Sequence, residues 1–496
     1  MQTRVFGTEC EYALYCSPEA GEPKPHRDYE SILEHLKGFT PFLVASLKEM
    51  GTPFCGEFLG NGGRFYIDRG AHPEYATPEC ADVRDIVSHE KAGDRIVQGL
   101  VARAGPLTAD AGRARKLLLF KNNVDSFGTT YGSHENYLVE PAAMENIRFI
   151  VPFLVTRQIF SGSGKVSTPA TPGESPFQLT QLADFIDRVF SDRTSQVRGI
   201  INLRKREIPR HGQNRRLHIL VGDSNMSEYA LGLRAGTTAL VLRLLEEDSL
   251  ENLPALASSV QAIKDISRHF DCPVELEDRR GRYNALDIQT IYLERVHRFF
   301  KDRQPSRSEE EILKLWGVTL AGLKALKMSP ERWILEDDPQ DLRRKIDWIL
   351  KLWLINRAQH NNGLDWWDHR LRILDLRYHD LDAGSGLFHR CQELGLVDRM
   401  VDEQEIRKAQ VEPPRNTRAW MRGSIIQHVW GKNVEAIVKN WECINIVARP
   451  KGRLSAHPFD RHRRMVNRLE IKMEDPLLAE DGCQLDKVRE FTGFWN

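Results

Sequence analysis

The sequence predicts an α+β fold made of a large domain followed by a small one, and three observations carry the prediction. Over the first 225 residues, stretches that alternate apolar and polar side chains are interleaved with stretches of helical spacing. From Met226 to about Leu396 the helical spacing takes over. A proline-rich joint, VEPPRNTRAW at Val411–Trp420, favours an extended linker and sets off a short mixed segment. The expected division is residues 1–410 and 411–496.

The elements follow in order. Val5 to Tyr15 alternates, with Gly7, Glu9, Glu11 and Ala13 on one face and Phe6, Cys10, Tyr12 and Leu14 on the other. Ile32, Leu33, Leu36, Phe39 and Leu43 give Tyr29–Leu47 helical spacing. Gly63–Asp68 alternates again, setting Arg64, Tyr66 and Asp68 opposite Phe65 and Ile67. Val83–Val101 reads as an amphipathic helix. Short strands are expected at Leu117–Phe120, His134–Val139, Arg198–Arg204 and Arg216–Val221. Helices are expected at Leu231–Leu245, Ala285–Phe300, Glu309–Leu326 and Asp338–Ala358. Beyond the joint come a strand at Trp441–Ala448 and a basic helix at Asp460–Leu469.

Composition narrows the function. Lys+Arg and Asp+Glu are both 70, so no global charge draws the chain to nucleic acid or to anionic lipid. The most apolar window, FIVPFLV at Phe149–Val155, is too short to span a bilayer. The N-terminal stretch lacks the apolar core of a secretory signal. None of the eight cysteines forms a C-x-x-C pair, which argues against a zinc site and fits reduced thiols in a cytoplasmic protein.

Four constellations could carry chemistry. Glu9 and Glu11 point the same way from one strand and could hold a hard cation such as Mg²⁺, although a solvated strand face is the commoner outcome. In NGGRFYIDRGAHPEYATPEC, Arg64 suits a phosphate and Asp68 a general base. The plainer reading is a salt-bridged strand end, with His72 and Glu74 capping a turn. In KNNVDSFGTTYGSHENYL, His134 and Asn136 share a face; nearby GSGKV lacks the spacing of a phosphate-binding P-loop and reads as a turn. In RGIINLRKRE and RRLHILVGDSN, Arg198, Asn202 and Arg204 alternate onto one face, as do Arg216 and His218. Five strands that each offer a polar face favour one shared basin. Carboxylates for Mg²⁺ and arginines for phosphate suit metal-assisted phosphoryl transfer.

GTECEY, NGGRFYIDRGAHPEYATPEC, KNNVDSFGTTYGSHENYL, PFLVTRQIFSGSGKV, RRLHILVGDSNMSE, GTTALVL and EPPRNTRAWMRG occur in one order along most of the chain and resemble the Pup ligase and Pup deamidase–depupylase family. That family belongs to the carboxylate-amine ligases and is related to glutamine synthetase. The resemblance implies a curved antiparallel sheet cradle packed by helices, a small C-terminal domain, and ATP and Mg²⁺ as cofactors. It implies two partners, a small disordered Pup-like modifier and lysine-bearing protein substrates. The modifier's C-terminal glutamate is phosphorylated on its side chain, and a substrate lysine then displaces phosphate to give an isopeptide bond. By motif, Asp68 would be the base; Glu9, Tyr66 and Glu74 magnesium ligands; Arg64, Thr77 and Trp441 ATP contacts. Glu11, His134 and His218 would line the metal side of the cradle, and Asn136 and Arg204 its nucleotide side.

Only 48 residues lie between Tyr12 and Asn61, which resembles the shorter ligase arrangement and favours that branch. YGSHENYL, GSGKV and FQLTQLADFI are closer to the depupylase, so a hydrolase acting on the same bond is the alternative, and a non-catalytic nucleotide-binding homologue a third. One departure stands out. Where the family carries an acidic pair after Arg204, this chain has Lys205 and Arg206, which reverses the local charge.

Overall fold

The computed structural model describes residues 4–16, 40–68, 70–110, 117–125, 128–167, 175–192, 197–203, 214–247, 253–278, 281–326, 341–432, 434–448, 468–473, 475–476 and 482–493. The fold is α+β. Its centre is a nine-stranded sheet of β1 (Phe6–Glu11), β2 (Phe54–Cys55), β3 (Phe58–Leu59), β4 (Arg64–Ile67), β5 (Pro73–Ala76), β6 (Ser133–Val139), β7 (Arg188–Ser191), β8 (Gly199–Asn202) and β9 (Arg215–Ile219). The spatial order is β7-β8-β9-β6-β1-β5-β4-β3-β2. Every pairing is antiparallel except β7 with β8 at one edge.

The period-2 pattern sorts the two faces. Phe6 and Tyr137 stack at 5.9 Å and join Ile201, Leu217 and Ile219 in the largest apolar cluster. That cluster also takes the inner faces of α2 (Glu228–Glu247), α3 (Ala285–Phe300) and α4 (Arg307–Ala325). Cys10, Tyr12, Phe65 and Tyr75 enter a second cluster against the later half of α1 (Val83–Asp110). The other face of the sheet keeps the polar side chains.

The first alternating stretch is broken at Tyr12. Its backbone N–H turns to Pro73 O at 2.9 Å, and the chain restarts as Ala13–Cys16, paired with Leu117–Phe120 in a separate two-stranded sheet. Beneath the break, Tyr12 Oη donates to Asp94 on α1 at 2.8 Å, and Lys121 Nζ lies 2.9 Å from both Asp94 and Glu90.

The run Asn61–Gly62–Gly63 has a packing reason. Asn61 Nδ2 donates to Tyr75 Oη at 2.9 Å and to Ala409 O at 3.0 Å, while its Oδ1 accepts the Gly63 amide at 3.1 Å. The Tyr75 ring in turn lies over Gly93 of α1, where an added Cβ would stand 2.2 Å from Cδ1. Alanine for glycine inside an exposed helix gains roughly 1 kcal/mol. At Gly93 the clash reverses the sign: Gly93→Ala is expected to cost about 1–3 kcal/mol, read as a lower urea midpoint at unchanged slope.

Several expectations are corrected. The helix foreseen from Asp338 begins at Asp347 and runs to Asn362 (α5), after a 3₁₀ turn at Leu342–Arg344. Residues 338–340, and 29–39 of the first foreseen helix, lie outside the described residues; the helix there covers Thr40–Glu49. Leu469, foreseen in a basic helix, belongs to a strand, Arg468–Lys472, because it continues the ladder from Cys443–Ala448; 451–467 lie outside the described residues. The joint is shorter than foreseen. After α6 (Glu403–Val411), helix α7 (Arg418–Val429) starts inside it, since both prolines precede Arg418.

Beyond α6 the chain has its own apolar cluster. Met421, Ile425 and Val429 of α7 pack on Ile444, Ile446, Ile471 and Val488. It is tied to the large sheet through Glu79, three residues past β5. Arg418 Nε donates to Glu79 Oε1 at 2.7 Å, and Arg422, fully buried, pairs with Glu79 Oε2 and donates to Gly62 O at 2.8 Å and Trp441 O at 3.1 Å.

Candidate active site

Strand register brings the polar faces together. Glu11 lies directly across from Glu74, Tyr66 across from Glu74, Glu9 across from His134, and Asn136 across from His218. Directly opposed residues share a face of the sheet. Asn202 joins the row through its pairing with His218.

Glu9 sits at the centre. Its Oε1 accepts from Asn136 Nδ2 at 3.1 Å and from Arg216 Nη2 at 3.3 Å; its Oε2 lies 3.5 Å from His134 Nδ1 and 3.6 Å from His218 Nε2. Arg216 Nε also donates to Asn136 Oδ1 at 2.7 Å. Burial opposes a charge on Glu9, yet the two imidazoles and the Arg216 guanidinium together hold its carboxyl well below the usual value. Burial holds His218 down against the pull of Glu9, and neither of its ring nitrogens makes a hydrogen bond among the described residues.

Glu74 behaves oppositely. Burial first, then the charges of Glu9 and Glu11, push it well above the ordinary carboxylate value. The Tyr66 hydroxyl donates to Glu74 Oε1, and burial with the neighbouring carboxylates raises that phenol too. Glu11 Oε2 accepts the Gly132 amide at 2.5 Å. Like charges placed directly across a sheet repel, so this row is relieved by a proton or by a cation. Glu9, His134 and His218 bring donor atoms within 4.8 Å of one another, as do Glu11, Asp68 and His72.

Asp68 stands just beyond β4, at the mouth of the turn to β5. Its N–H donates to His72 O at 3.0 Å, and its Oδ1 accepts the His72 amide at 2.7 Å. Ala71 takes a left-handed conformation, φ 62°, to close the turn. Burial alone would raise Asp68, but the His72 imidazole and the amides of His72 and Gly70 outweigh it and hold the carboxyl below its ordinary value.

The remaining expected residues are placed as follows. Arg64 lies 4.3 Å over the Tyr66 ring and is paired with Glu57 at the surface, a pair that an incoming anion can compete for. The Thr77 hydroxyl accepts the Thr8 amide at 2.9 Å, so it fixes the β1–β5 backbone. Trp441 stands edge-on to Phe58 at 5.0 Å, with Arg422 4.7 Å over its ring. Arg204, with Lys205 and Arg206, lies outside the described residues. Lys165 of the GSGKV stretch is paired with Asp184 at 3.1 Å. Alternation put Arg216 on the polar face but could not bring it to Glu9, 207 residues away; only the sheet order does that.

The model of the Pup-ligase protein family matches residues 4–445. The chain belongs to the Pup-ligase family. Among its relatives in the family, the Pup–protein ligase of Actinosynnema mirum is 38% identical over 430 residues, covering 86% of this chain and 90% of that protein. The Pup–protein ligase of a Nocardioides species is 36% identical over 475 residues, 95% of this chain and 99% of its own. The fold matches the Pup ligase PafA in its complex with Pup, with a TM-score of 0.80 at 29% identity, over 100% of this chain and 94% of that one. It matches PafA in complex with ADP with a TM-score of 0.74 at 29% identity, over 97% of each chain. Among the described residues of this Pup-ligase family member, no helix is long and apolar enough to cross a membrane.

Proposed function

We propose that this chain is an ATP-dependent Pup–protein ligase: it phosphorylates the C-terminal glutamate side chain of a Pup modifier and passes the modifier to a substrate lysine. The observation that carries the reading is the coverage of Pup–protein ligases along nearly the full chain, 475 residues at 36% identity in one case. The row of carboxylates with Asp68 at its end supplies the chemistry. Phosphorylation turns a hydroxide-like leaving group into phosphate. The lysine amine then attacks the acyl carbon, phosphate departs, and the ionised Asp68 takes the amine proton. We further propose the division into a catalytic domain, 1–410, and a small domain, 411–496, which the separate apolar cluster supports.

The donor set fits Mg²⁺. Glu9, Tyr66 and Glu74 offer oxygen, the element that ion prefers, and Glu11 stands beside them. When bound, the ion neutralises charge on the phosphates and on the group in transfer. The imidazoles of His134 and His218 orient Glu9 and complete the donor cluster. Because Glu74 holds its proton above the ordinary range, binding must displace that proton. Mg²⁺ affinity is therefore expected to rise with pH, with protons released on binding. Glu74→Gln should weaken binding and abolish the release, measured by calorimetry in two buffers of different ionisation enthalpy.

The reading is tested with ATP, Mg²⁺, Pup ending in glutamate and a lysine-bearing protein. A conjugate formed with stoichiometric ADP supports it. Cleavage of a purified conjugate with no net conjugation overturns it in favour of the hydrolase.

A further inference from the structure

The His72 side chain stands beside Asp68, and its surroundings are built. It is buried, 7% exposed. Its ring meets Tyr131 edge-on at 4.6 Å. Gly70 also lies against the ring, where an added Cβ would stand 2.6 Å from His72 Cε1 and 2.7 Å from Nδ1. Nδ1 faces Asp68 Oδ1 at 3.4 Å, inside ion-pair reach but without hydrogen-bond geometry, and it has no other partner among the described residues. The same Oδ1 accepts the His72 amide at 2.7 Å. One oxygen of Asp68 is thus engaged twice by one residue.

From this geometry we infer that His72 is a positioning residue: held against Gly70 and Tyr131, its imidazole sets the rotation of the Asp68 carboxylate, so that Oδ2 is the oxygen presented to the substrate lysine. The inference rests on the reading of Asp68 as the base. A carboxylate anchored by its backbone neighbour alone keeps its place but can turn about its own axis. The second contact on Oδ1 removes that freedom, and orientation of a reacting group is worth about 10²-fold when it is lost.

The test compares four single substitutions and one double variant by steady-state conjugation, with thermal midpoints as a check on folding. His72→Leu is expected to lower kcat on the order of 10–100-fold, with KM for ATP and for Pup unchanged. His72→Asn, whose amide nitrogen falls near the place of Nδ1, should recover most of the loss. Gly70→Ala crowds the His72 ring and also brings its Cβ to 3.1 Å from Asp68 Oδ2, so it should lower kcat at least as far as His72→Leu. In Asp68→Asn, adding His72→Leu should cost nothing more. Equal losses in kcat and KM, no rescue by asparagine, or full additivity with Asp68→Asn would overturn the inference. If Asp68→Asn alone conjugates normally, it is the assignment of the base that fails; if it is defective while His72→Leu is normal, only the role of His72 fails.

Discussion

Asp68→Asn is expected to lower conjugation by about 10²- to 10⁴-fold, the range for removal of a positioned base, while leaving the fold intact. The substitution keeps shape, and the asparagine carbonyl can still accept the His72 amide that Asp68 Oδ1 accepts at 2.7 Å. What disappears is the proton acceptor. The loss should fall on the attack by lysine and spare the activation of the modifier. Hydroxylamine, an amine that is already neutral near pH 7, should therefore still trap the activated glutamate as a hydroxamate in the variant. The sign of the pH dependence follows from the charge. The turn holds Asp68 below its ordinary value, so the carboxylate is ionised throughout the neutral range and is lost only in acid. A rise in rate on the alkaline side then belongs to the lysine amine, whose ordinary pKa is about 10.4. Undiminished conjugation by Asp68→Asn would refute the assignment.

The largest expected effect on stability is at Glu79. Its carboxylate faces both Arg418 and the fully buried Arg422. Burial pushes Glu79 up, but the two guanidinium groups outweigh it and hold its pKa at about 2. Glu79→Gln removes the charge and leaves Arg422 buried without its counter-ion, a change that costs about 3–5 kcal/mol for a buried pair. The sign with pH is fixed by the depressed value. The Glu79 contribution is fully present above the unfolded carboxylate value of about 4.3, and it is lost as pH falls through about 2. Urea midpoints at pH 7 and pH 3 should show a gap between parent and variant that narrows in acid. A gap that widens in acid would contradict this account.

Local elements of this fold were legible in the sequence because their pattern is local. The alternation from Phe6 and from Arg64 separates Glu9, Tyr66 and their neighbours from Cys10 and Phe65, and the structure buries the second set. The polar basin was legible too, as five strands with one polar face each. The order of those strands was not. Nothing within β1 or β6 states that Glu9 meets His134, or that His218 follows Asn136, since those pairings span 125 and 82 residues. Arg64 and Trp441 were expected at the nucleotide by motif; the structure adds their contacts with Glu57 and Phe58, which no spacing encodes. The role of His72 was hidden for a different reason. It depends on a left-handed Ala71, a conformation that glycine advertises and alanine does not.

Glu79 also bears on how this molecule can be recombined with others. The residue stands three positions after β5, the strand that carries Glu74, yet its partners Arg418 and Arg422 come from the far end of the chain. A chimera that takes its last segment from another ligase therefore inherits a handshake rather than a simple suture. The exchangeable unit is Glu79 together with both arginines, and the indole of Trp441 stacked beneath one of them. A junction drawn at the linker alone would splice two halves whose shared ion cluster had been selected apart, and the misfit would register at the end of the strand that carries Glu74.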